Sequence, residues 1–143
     1  MKKPSSLLDW VLLGKISMTI IWVVSLLLSG WAFEPLRIPK PEPLLFVILL
    51  AGAYIALLVG YVRAYWDSTH YGNTQNVVNA VVVGIVSNGW GCLTLLLFGL
   101  NGAWNNWGGW AQVGMWLSMV AAGLITVGLI IARPVPPAPT TTN

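Results

Sequence analysis

The side chains that could do chemistry are few, and five of them fall within one apolar run. Asn79, Ser87, Asn88, Cys92 and Thr94 are set among Val, Leu, Ile and Gly between Val77 and Leu100. Ser and Thr can return their hydroxyls to the backbone of their own helix, but Asn does so less easily. Asn88, near the middle of the run, is therefore expected to bond across to another helix. One reading makes it interhelical glue. The other groups Asn88 with Trp90, Trp116 and Trp22 as the lining of a pocket for a flat amphipathic ligand such as a quinone, carotenoid or chlorin. An indole N–H in hydrocarbon needs an acceptor, and Asn88 and Ser87 lie at a suitable depth to provide one. The single histidine, His70, follows Asp67 by three residues. It reads as a solvated interfacial side chain, or as a lone axial ligand to a pigment or haem that another subunit would complete. Arg63 and Asp67, four apart, form an exposed ion pair worth little.

The rest of the inventory excludes more than it offers. One Cys leaves no internal disulfide, CxxC pair or Cys-rich zinc site, and one His leaves no two-His metal site. There is no GxGxxG, phosphate-binding loop or serine elbow. The net charge of +3 arises from a shortage of acids, with no Lys/Arg patch for nucleic acid. The chain is thus expected to be no enzyme and to hold no metal. Ion-coupled carriers keep an ionisable group inside the membrane. Lys15 comes nearest, but its stem can reach the interface, so it is expected there. That speaks against a carrier and leaves an oligomeric channel lined by Asn and Ser as the transport reading. No repeat between the two halves supports a carrier either.

The elements that must position these residues are membrane helices. Of 143 residues, 57% are hydrophobic and 8% charged, with a mean hydropathy of +0.76; a soluble domain carries about 25% charged residues. Roughly 20 apolar residues cross a bilayer as a helix, and four segments qualify: 10–31, 44–64, 77–100 and 110–132. Prolines 35, 39, 41 and 43 close the first connector, Asp67 to Thr74 forms a polar second one, and Asn101 to Gly109 the third. Residues 1–133 make one membrane domain, and 134–143 a Pro/Thr-rich tail. Lys2 and Lys3 resemble the start of a leader, but the apolar run from Ile16 to Phe33 is too long for one, so a retained anchor is expected. Lys2, Lys3, Lys15, Arg63 and Arg133 stand on one side against Arg37 and Lys40 on the other, which predicts both termini in the cytoplasm. Short connectors predict an all-α, antiparallel four-helix transmembrane bundle.

Small residues recur every four positions in three spans: Gly52, Ala56, Gly60 and Ala64; Asn76, Ala80, Gly84, Asn88 and Cys92; Gly114, Ser118, Ala122 and Thr126. Such rows share a helix face and let backbones approach closely. They serve a bundle closing on itself, or leave one groove for a partner or a lipid-like ligand. Aromatic belts are expected at Trp31, Trp104, Trp107 and Trp110 on one side and at Trp10, Tyr65, Trp66 and Tyr71 on the other. Trp104, Trp107 and Trp110, with Asn105 and Asn106, make the best candidate docking surface for larger integral membrane subunits.

The Tyr- and Gly-bearing second helix ends in Arg63, runs into Asp67-Ser68-Thr69-His70 and leads to a helix with Gly84 and Ser87-Asn88-Gly89. Over residues 50 to 132 this resembles the DoxX-like group of small four-helix membrane proteins. The acidic residue expected in that group's last helix is absent between Trp110 and Ala132. The resemblance implies a small subunit of a quinone-linked membrane oxidoreductase, with no catalytic residue carried over. The expectation is a non-catalytic accessory subunit of a respiratory or photosynthetic complex, in a bacterial-type plasma membrane or a thylakoid-like one. It would pack among lipids, pigments and larger subunits. The alternatives are a binding protein for a quinone or carotenoid linked to an oxidoreductase, and a small oligomeric channel or carrier.

Overall fold

The computed structural model describes residues 6–40, 44–72 and 74–134. Lys2, Lys3, Pro43 and the tail beyond residue 134 lie outside the described residues. The described chain is all-helical: α1 (Leu7–Leu27), a single turn α2 (Ser29–Ala32), α3 (Leu45–Tyr71), α4 (Gln75–Leu100) and α5 (Gly109–Ile131). The four long helices are each long and apolar enough to cross a membrane. Large apolar side chains such as Ile21, Phe46, Val59, Val86 and Leu124 are exposed along all four. That much apolar surface suits lipid and not water, which is compatible with a multi-pass integral membrane protein.

Local sequence sets the helix ends. Ser6 and Asp9 form a capping box, the Ser6 hydroxyl accepting from the Asp9 amide and the Asp9 carboxylate from the Ser6 amide, each at 3.2 Å. Thr74 caps α4 by accepting from the Val77 amide. Between α3 and α4 the turn is made at Gly72, whose φ of +79° favours glycine. The polar connector expected from Asp67 to Thr74 is therefore mostly helix. Polarity alone does not stop a helix, and α3 continues through Asp67 and His70 until Gly72 breaks it. At the other end of the molecule the two remaining connectors dock on each other. The Gly108 amide donates to the Leu36 carbonyl at 3.0 Å, and a Cβ on Gly108 would lie 2.5 Å from that oxygen.

The long helices form a ring in which α1 packs on α3 and α5, and α4 packs on α3 and α5. Contacts are most extensive within the α1/α3 and α4/α5 pairs, and the seams between the pairs are looser. One apolar cluster joins Leu8, Leu12, Tyr61, Tyr65, Val77, Val81 and Leu129; a second joins Leu26, Val47 and Ala51, with Trp22 and Tyr54 against it.

The small-residue rows are used unequally. Gly84 is buried, and a Cβ there would meet Leu129 at 2.6 Å and Tyr61 at 3.6 Å. Ala122 is also buried. Gly52, Ala56 and Gly60 instead face outward, with nothing within 4 Å of a Cβ on either glycine. Gly114 is likewise open, and Ser118 is half-buried. Periodicity identifies a face but not whether that face turns inward: of the α3 row only Ala64 is buried, so Gly52, Ala56, Gly60 and Gly114 do not pack within the bundle as helix-packing residues, and the α3 strip fits the alternative of a groove left open. The close approaches it missed are at Gly99, under Trp104 and Trp116, and at Gly128, against Val11.

Candidate functional site

Between the two apolar clusters lies a polar layer built on five side chains. Lys15 stands eight residues into α1, Asn88 thirteen residues into the 26-residue α4, and both are buried. The Lys15 ammonium donates to Asn88 Oδ1 at 2.7 Å, across the middle of the ring. Asn88 Nδ2 donates to the Gly84 carbonyl at 2.6 Å, which fixes the amide so that its oxygen faces Lys15. Lys15 Nζ also lies 5.2 Å from the centre of the Tyr61 ring, within the range of a cation–π contact. The Tyr61 hydroxyl and Ser87 hydroxyl are 3.2 Å apart, and Thr19 returns its hydroxyl to the Lys15 carbonyl at 2.7 Å.

Lys15 is thus not the interfacial side chain that the sequence suggested. Two helical turns precede it, and Asn88 with the Tyr61 face gives its ammonium partners that a stretch toward the helix end would forfeit. Lys15 thus puts an ionisable group inside the bundle, the feature whose expected absence spoke against a carrier, while the lack of a repeat between the two halves is unaffected. Asn88 does bond across to another helix, as expected. Lys15, Thr19 and Trp22 recur at i, i+4 and i+7 on one face of α1, and that stripe was the available sequence signal for the missed residues.

A cavity of about 300 Å³ adjoins this layer, at the low end of the size of ligand pockets. Lys15, Thr19, Ser87 and Asn88 line its polar part; Trp22, Tyr54, Leu50, Trp90 and Thr94 line the rest. Trp22 stacks on Tyr54 with ring centres 6.4 Å apart, while Trp90 is 71% exposed and stands at the mouth. Of the four expected pocket residues, Asn88, Trp90 and Trp22 come together here. Trp116 does not: it packs edge-on against Trp104, 5.5 Å between centres, over Gly99. Nor does either indole take Asn88 or Ser87 as acceptor, because both are engaged by Lys15, Tyr61 and the Gly84 carbonyl. A second, wholly different cavity of about 500 Å³ lies between α1, α5 and the first connector; it is almost entirely apolar and shares Trp22 with the first.

Against protein-family models, curated proteins and solved structures, the chain has no match.

The remaining expected site residues divide as follows. Trp104 is 3% exposed, because Gly99 and Trp116 enclose its ring, so it cannot be an outward docking residue. Trp110 is 83% exposed, Trp107 is half-buried, and Asn105 and Asn106 are exposed. Tyr65 is in the core and not in a belt. His70 stacks on Trp66 at 4.1 Å and its Nδ1 lies 2.9 Å from the Trp66 carbonyl, which ties the ring down at the end of α3. Asp67 collects Arg63 at 3.4 Å, Asn76 at 3.0 Å and Thr74 at 3.3 Å. At about 1.5 Å per residue the 27-residue α3 exceeds a bilayer core of roughly 30 Å, and its apolar stretch ends near Ala64, so Asp67 stands beyond the apolar segment. The amide of Asn76 foremost, then Arg63 and Thr74, hold its carboxyl below the usual range against the opposing effect of burial.

Proposed function

We propose that this chain is a non-catalytic, membrane-embedded binding protein that holds the head of a hydrophobic cofactor, of the quinone class, in the cleft of α1, α3 and α4. One observation carries the reading: a lysine ammonium and an asparagine oxygen meet in the polar part of a cavity whose other walls include Trp22, Tyr54 and Trp90. A quinone matches such a site because its ring is flat and its carbonyls accept hydrogen bonds. A carotenoid offers the lysine much less. The likeness of residues 50–132 to DoxX-like proteins favours the same class and an oxidoreductase as the recipient.

In this reading the helices form an antiparallel bundle with both termini cytoplasmic, in a bacterial-type plasma membrane or a thylakoid-like one. Two contacts support the antiparallel order: Asp9, early in α1, accepts from Ser68, late in α3, whereas Trp22, late in α1, stacks on Tyr54, earlier in α3. The test is to purify the protein gently from its own membranes, extract it and quantify quinone per chain. Near-stoichiometric quinone is expected, falling at least tenfold in Lys15→Met and in Trp90→Leu. Quinone content at the background level of the lipids would sink the reading.

A second reading, an accessory subunit packed among larger integral membrane subunits, is favoured by the open row Gly52, Ala56 and Gly60 and by the exposed Trp110. Lipids or pigments would fill the remaining surface. Its test is the native mass of the tagged chain in mild detergent, where defined co-subunits are expected and a bare 15.5 kDa species would count against it.

A further inference from the structure

The charge of the head that the cleft accepts follows from what surrounds Lys15. Its two partners, the Asn88 oxygen and the Tyr61 ring face, are both neutral. Together they are what an ammonium seeks: a carbonyl dipole and the negative face of an aromatic ring. Among the described residues no carboxylate forms an ion pair with it. Asp67 is held by Arg63, Asn76 and Thr74; Asp9 is six residues back along α1, accepting from Ser6 and Ser68; Glu34 pairs with Lys40 in the first connector.

A buried cation with only neutral partners is costly until a counter-charge arrives. Of its three N–H donors one serves Asn88, and Lys15 lines the cavity. Thr19 and Ser87 do not compete as donors, since their hydroxyls are turned to the Lys15 carbonyl and to Tyr61 and Gly84.

We infer that the cleft is an anion receptor within the membrane, completed by an amphiphile whose head carries a single oxyanion on Lys15. Long-chain carboxylates and acidic hydroxyquinones share that chemistry. The inference rests on the cleft being a ligand site and adds the charge of what fills it. Asn88 is a positioning residue here: it holds the ammonium in place through an amide fixed on Gly84.

The experiment measures binding by the intact chain in zwitterionic-lipid nanodiscs, using two pairs of probes. Palmitate is compared with its methyl ester, and a 2-hydroxy-3-alkyl-1,4-naphthoquinone above its ionisation with its O-methyl ether. The acidic member of at least one pair should bind roughly tenfold or more tightly than its neutral mate, as expected for one buried charge-assisted hydrogen bond. The pair that shows it tells which source of oxyanion the site takes. Lys15→Arg should keep the preference and Lys15→Gln should lose it. Asn88→Asp places an anion inside the protein and should also abolish it, which keeps the test intact should Lys15→Gln fail to fold. Equal binding of charged and neutral mates, or a preference unchanged in Lys15→Gln and Asn88→Asp, would overturn the inference and leave the ligand cleft standing. Absence of binding by all four probes would overturn both.

Discussion

At the scale of single residues, the proposed binding role of Lys15 sets it against stability. Burying an ammonium among neutral partners costs several kcal/mol, which outweighs the roughly 1–3 kcal/mol of leaving the Asn88 oxygen without its donor. Lys15→Met is therefore expected to raise the thermal midpoint in detergent, or leave it unchanged, while it empties the cleft. Asn88→Leu should do the opposite, costing about 1–3 kcal/mol because the ammonium loses its acceptor. The double variant should recover most of that loss, a coupling that single measurements cannot produce. A midpoint lowered by Lys15→Met would mean that the lysine is there for the fold. Asn88 was legible in the sequence because an amide in an apolar helix has few local partners. Lys15 was not, because the same eight residues from a helix end permit either a reach to the interface or a partner across the bundle. Only the place of Tyr61 and Asn88 decides between them.

At the scale of elements, glycines with identical spacing should behave differently. Gly84→Ala forces a methyl against the fully buried Leu129, and overpacking of that kind costs about 1–3 kcal/mol. Gly52→Ala and Gly60→Ala meet nothing and should stabilise by up to about 1 kcal/mol through helix propensity. Thermal unfolding of the three variants side by side checks this. The end of α3 adds a pH dependence. The Asp67 carboxyl is held below its ordinary value in the fold, so its stabilising contribution is complete above about pH 4 and is lost as pH falls through the depressed folded value. The protection of amides at residues 67–72 and 74–77, measured relative to their slower intrinsic exchange in acid, should fall on acidification, and Asp67→Asn should remove that acid sensitivity. Helix existence was legible from apolar length and helix ends from Ser6 and Thr74. The extension of α3 through its polar end was not, because the stop is conformational, at Gly72, and not a matter of polarity.

At the scale of the whole molecule, the bundle has an unfinished side. Gly52, Ala56 and Gly60 form an open strip along α3, and Trp110 projects from the first turn of α5. Gly52→Leu with Gly60→Leu should leave the melting of the isolated chain within about 0.5 kcal/mol, as surface changes do. In native extracts the same change should shift the chain from any large assembly to the free form. Unaltered sedimentation of the double variant would assign the strip to lipid. Sequence periodicity finds such strips but cannot tell inward from outward, since that depends on how the neighbouring helices are rotated.

The 73-residue separation of Lys15 from Asn88 has a consequence for biogenesis. At a synthesis rate of about 5–20 residues per second, α1 emerges roughly 4–15 s before the residue that receives its ammonium exists. During that interval the lysine has no amide oxygen to meet, and the helix that carries it is best held near the headgroups. Placing α1 at its final depth is then a late event, timed by the arrival of α4, and the newborn chain matures from its far half backward.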